Sequence, residues 1–155
     1  RKGVVRAVSV VGRVIEIALR FAREGREGQS IGACFVIAES EEVAGHTSQL
    51  ILNPCEGHRK AARNIQNASF LETLRELTAL DGAIIVSPRG VVESAGTYLD
   101  APRRKAKVKP GLGARHSAAA SITAVTDAIS IVISQSSGHV TVFGDGSPIL
   151  ELENA

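Results

Sequence analysis

DGAIIVSPRGVVESAG, residues 81–96, holds two apolar runs on either side of Ser87-Pro88-Arg89-Gly90. AIIV is short, uncharged and rich in β-branched residues, as a buried strand should be. The four residues after it suit a tight turn, and VVESAG returns as a second strand. Working towards the N-terminus, Phe70, Leu71, Leu74 and Leu77 make the apolar stripe of a helix that runs straight into this hairpin. Ser69 and Glu72 have capping-box spacing at its start.

Further upstream, IGACFVIAE reads as a buried strand and SQLILN as a second, short one after the polar SEEVAGHT turn. Val4, Val8, Val11, Ile15, Ala18, Leu19 and Ala22 recur at helical spacing, which predicts an amphipathic helix over about residues 4–24, ended by GREGQS. Towards the C-terminus, a basic loop leads to a helix that begins near Gly113 or Ala114 and ends near Asp127. AISIVIS and HVTVF then form a hairpin around Gln135-Ser136-Ser137-Gly138, and Gly144-Asp145-Gly146 turns the chain at the end. Hairpins interrupted by helices indicate a mixed α/β (α+β) fold with a single central, mixed, twisted sheet flanked by helices. Residues 1–30 are expected to form a helical segment packed on a domain of residues 31–155. The start at Arg1 rather than Met suits a domain cut from a longer protein.

The totals exclude several classes. At 155 residues, 44% hydrophobic and 22% charged, the chain is an ordinary globular domain with enough length for a real core. Aromatics are 3% with no Trp, which argues against stacking platforms for single strands, and a net charge of +2 is too small for general nucleic-acid or membrane attraction. Cys34 lies in an apolar run and Cys55 in a turn, with no C-x-x-C pair, so a reducing cytoplasm is the plain expectation. No apolar stretch reaches membrane-spanning length.

The distribution of charge says more than its sum. Six of the 18 Lys and Arg residues fall between Arg103 and Arg115. There, Gly111-x-Gly113-x-Arg115-His116 opens a helix whose first turn is already the positive end of its dipole. Glycines allow close approach, helix-start N–H groups bind anions, and Arg115 adds a fork that matches phosphate. Both a phosphate site and a solvated basic loop capped by glycine fit these residue types. Asp81-Gly82-Ala83, between a helix end and a strand, suits a divalent cation or a proton acceptor. Read alone, an Asp-Gly turn explains it more simply. His46, His58 and His139 lack ligand partners at metal spacing, Glu41-Glu42 reads as a solvated turn, and Ser117 and Ser121 lack a nucleophile elbow.

Taken together, LDGAIIVS, GTYLDAP, GLGARHSAAASIT and SQSSGHVTVF stand in the order and spacing of the diadenylate cyclase domain, which the chain resembles over about residues 31–146. The resemblance implies an enzyme that condenses two ATP into cyclic di-AMP and two pyrophosphates, with Mn²⁺ or Mg²⁺, across a face-to-face homodimer. It makes Asp81 the catalytic residue, in contact with a ribose hydroxyl and the metal. Gly82 and Ala83 would line the pocket by backbone, and Leu99 would meet adenine. Gly113, Ala114, Arg115 and His116 would take the triphosphate, with Ser117 next in the motif, and Ser134 is the motif serine. The sequence departs from the family where Ser117 replaces a third motif arginine and where neutral Gln135 and Ser136 follow Ser134; Leu80 precedes Asp81, as in the DNA-scanning branch. These departures motivate an alternative, a degenerate cyclase fold that binds ATP or cyclic di-AMP without turnover. Nucleic-acid binding by the basic loop is a third reading, which the few aromatics and low charge count against. No nucleic-acid partner and no membrane span are expected.

Overall fold

The computed structural model describes residues 2–102, 106–108 and 110–153. Arg103, Arg104, Lys105 and Lys109 of the basic loop lie outside the described residues. The chain runs α1 (Lys2–Glu24), β1 (Ala33–Ile37), α2 (Ser40–Val43), β2 (Thr47–Gln49), α3 (Leu71–Leu77), β3 (Ala83–Val86), β4 (Val92–Leu99), α4 (Ala114–Val125), β5 (Ile129–Ile133), β6 (Val140–Gly144) and β7 (Ser147–Leu152). One seven-stranded sheet has the order β2-β4-β3-β1-β5-β6-β7. β1 and β3 are parallel, and every other pairing is antiparallel. The mixed, helix-flanked sheet expected from the sequence is the fold.

Both faces of the central strands are buried, while the edge strands β2 and β7 are largely exposed, and the side-chain period of two divides the core. Phe35, Ile84, Val86, Ile131 and Val142 face one layer, where Val14, Ile17 and Phe21 of α1 and Leu74 of α3 cover them. Cys34, Val36, Ile85, Val132 and Phe143 face the other, under Ala119, Ala120 and Ile122 of α4. The alanines let α4 lie close to the strands. Residues buried on both sides explain why these strands read as unbroken apolar runs.

Three readings need correction. SQLILN is not a strand throughout: β2 takes only Thr47–Gln49, and Leu50, Ile51 and Leu52 leave the sheet exposed. Ser69 does not cap α3; the Asn67 side chain accepts from the Ser69 backbone N–H ahead of a 3-10 turn (Ala68–Phe70) that leads into the helix. The hairpin of β5 and β6 does not close the sheet, because β7 adds an edge strand containing Pro148. Proline discourages a strand reading, yet an edge strand tolerates it. In the basic loop, the Lys107 backbone N–H donates to the Gly146 carbonyl at 2.7 Å, and the Gly146 N–H donates to Thr123 Oγ1 in the later part of α4. The Lys107 backbone is therefore held beside the later part of α4 rather than beside its first turn.

Candidate active site

Strand direction gathers the motifs at one sheet edge. β1 and β3 start there, and antiparallel β4 and β5 end there, since Ala83 pairs with Thr97 and Ala33 with Ile133. α4 runs away from that edge and β5 runs back, so the first turn of α4 overhangs the starts of β1 and β3.

Gly82 fixes how Asp81 is presented. Its φ is +97°, and a Cβ at this position would stand 2.7 Å from the Thr97 carbonyl oxygen and 2.8 Å from the Thr97 nitrogen. Only glycine permits that approach, which brings the chain into β3 hard against β4. Asp81 is left exposed at the mouth of the strand, with no ion-pair partner among the described residues. On the other side, Gly113 precedes α4 in extended conformation without a side-chain cap, and the first turn carries no acid. Its N–H groups and the exposed Arg115 are open to an anion.

Two adjoining cavities lie between these groups, and Asp81, Gly82, Ala114 and Arg115 border both. The first, about 240 Å³, is largely apolar and is lined further by Cys34, Leu50, Ala83, Thr97, Tyr98, Leu99 and Ala118. The second, about 430 Å³, is more polar and adds Gly113, His116, Ile133, Ser134, Gln135 and Ser136. Nine of the ten residues singled out in the sequence therefore meet at one cleft. Ser117 is the tenth and lines neither cavity; its N–H donates to the Gly113 carbonyl and its carbonyl accepts from Ser121 Oγ.

His116 is 6% exposed, with its ring edge-on to Phe143 at 6.2 Å between centroids. Burial, and then the Arg115 charge, push its pKa below the ordinary 6.5, so it is neutral at pH 7 and offers one N–H donor. The cationic group at the tip of α4 is Arg115. Burial raises the Cys34 thiol to about 12, partly offset by Arg115, so it is an inert apolar wall of the first cavity. Sequence reasoning missed Leu50, Thr97, Tyr98 and the place of Cys34. Tyr98, the only tyrosine, is adjacent to Leu99 and could have signalled the wall; Leu50 carried no signal, having been read as strand.

Residues 20–147 match the DAC family, described as DisA bacterial checkpoint controller nucleotide-binding. The chain belongs to that family. Relatives of this DAC-family chain include the diadenylate cyclase of Methanocaldococcus jannaschii, 41% identical over 140 residues, with 90% of this chain and 44% of that protein covered. The diadenylate cyclase of Haloferax volcanii is 35% identical over 145 residues, covering 93% of this chain and 52% of that protein. The chain thus spans about half the length of the curated relatives it matches. Among solved structures, a hypothetical membrane spanning protein from Bacillus cereus has a TM-score of 0.65 at 19% identity, over 94% of this chain and 63% of that one. A double mutant of DacA from Staphylococcus aureus gives 0.60 at 22% identity, over 95% and 87%. At those identities the likeness is one of fold. Among the described residues, no helix is long and apolar enough to cross a membrane.

Proposed function

We propose that this DAC domain condenses two ATP molecules into cyclic di-AMP with release of two pyrophosphates. The observation that carries the reading is the single cleft in which Asp81 and Arg115 border both cavities. Adenine occupies the apolar cavity beside Leu99 and Tyr98, and the triphosphate extends into the polar one towards Gly113, Arg115, His116 and Ser134. Each 3′-oxygen bonds to the α-phosphorus of the other nucleotide as that phosphorus loses pyrophosphate. Asp81 accepts the hydrogen bond of the attacking hydroxyl and lowers the cost of its deprotonation. Arg115 and the open N–H groups of α4 hold the phosphates in line and stabilise charge on the leaving group.

The donor set suits Mn²⁺ or Mg²⁺. No cluster of three or more His, Cys, Asp or Glu ligands occurs among the described residues, so Asp81 would hold the cation together with phosphate oxygens. When bound, the cation supplies neutralisation of phosphate charge.

One cleft takes one ATP, so ring closure brings two copies face to face. The rim supports this arrangement: Leu50 and Tyr98, which line the first cavity, are half exposed. Purified protein given ATP with Mn²⁺ or Mg²⁺ should form cyclic di-AMP, resolved by chromatography. A second reading, nucleotide binding without turnover, is favoured by Ser117 lying outside both cavities and by neutral Gln135 and Ser136 lining the second. ATP binding by calorimetry with no product under either metal would select it.

A further inference from the structure

Arg115 is unusual in bordering a third cavity as well, about 210 Å³, which it shares with Gly32, Gln135, Arg26 and Ser30. Its guanidinium therefore reaches from the tip of α4 across the entry to β1. Gly32 lies directly beneath it. A Cβ built there would stand 2.6 Å from Arg115 Nη1, 3.0 Å from its Cζ and 2.9 Å from the Gln135 Cβ. Gly32 is buried, and its backbone is not in the left-handed region, so space rather than φ demands glycine here. No carboxylate among the described residues pairs with Arg115. With no counter-ion to aim the guanidinium, the remaining constraint on its direction is what it rests on.

We infer that Gly32 is a positioning residue for phosphate binding: its missing side chain is the seat that sets the Arg115 guanidinium at the cleft. The inference rests on the reading of the cleft as an ATP site. A methyl at residue 32 meets the flexible end of Arg115 on one side and the Gln135 Cβ, close to its backbone, on the other. Arg115 is the group freer to yield, and yielding takes its guanidinium off the position it holds at the cleft. Such an effect passes through Arg115 and disappears when Arg115 is absent.

The test is a double-mutant cycle on ATP affinity, read by calorimetry with a non-hydrolysable analogue, over wild type, Gly32→Ala, Arg115→Ala and the double variant. Gly32→Ala should weaken binding about tenfold, and the 2.9 Å approach to the Gln135 Cβ should lower the thermal midpoint alike in both backgrounds. In the Arg115→Ala background the same substitution should change affinity less than twofold. Equal losses in both backgrounds, or wild-type affinity in Gly32→Ala, would overturn the inference. Absence of analogue binding by the wild type would instead overturn the ATP reading itself. Should Gly32→Ala fail to fold, ¹⁵N relaxation of the Arg115 Nε–Hε group in unaltered protein decides. A rigid, resolved signal in the free protein supports the seat, and a motionally averaged one contradicts it.

Discussion

Gly82 and His116 are the two residues whose surroundings most constrain the cleft. At Gly82, a side chain meets both a positive φ and the Thr97 backbone. Gly82→Ala should therefore lower stability by ~2 kcal/mol or more and displace Asp81, as thermal unfolding and ATP turnover together would report. At His116 the folded pKa lies below 6.5. The unfolded chain then binds the proton more readily, so this residue's contribution to stability falls as pH drops below about 6.5 and levels off below the folded pKa. His116→Phe should flatten that part of the stability–pH curve, measured by denaturant titration between pH 5 and 8. Asp81-Gly82-Ala83 and Arg115-His116 were visible in sequence as local motifs, though it was the family resemblance, not either motif alone, that set them in one site. The roles of Ser117 and Gly32 were not visible: one depends on which way a helix turns a side chain, the other on a neighbour more than eighty residues away.

At the scale of elements, the buried strands were readable because composition and length agree, with β-branched runs bounded by turns. β7 was hidden by Pro148, and β2 by three apolar residues that the fold leaves outside the sheet. The contact between α1 and α3 was also invisible in sequence. Arg75 of α3 donates to Glu24 at 2.7 Å and to the Gly25 carbonyl at 2.8 Å, and stacks over Phe21 at 4.7 Å. These contacts fasten the end of α1 to α3. Arg75→Ala should lower stability by ~1.5–3 kcal/mol while leaving ATP affinity within twofold, because Arg75 lines neither cavity of the cleft. Equilibrium unfolding with parallel calorimetry would separate the two effects.

For the molecule as a whole, the sheet's parallel and antiparallel pairings bring four motifs to one edge, and the proposed chemistry requires two such edges to meet. Cyclic di-AMP formation per domain should therefore rise with protein concentration when the protein is highly dilute. Leu52→Asp, at an exposed apolar residue that lines neither cavity, should reduce turnover at least tenfold and leave ATP affinity unchanged; sedimentation with a non-hydrolysable analogue should show the dimer weakened. The most direct measurement of the central claim compares Asp81→Asn with wild type for ATP affinity and for cyclic di-AMP formed with Mn²⁺ or Mg²⁺. If a carboxylate at β3 and a guanidinium at α4 act on one nucleotide, the variant keeps most of its ATP binding and loses at least a hundredfold in product. Undiminished cyclic di-AMP formation by Asp81→Asn would contradict it.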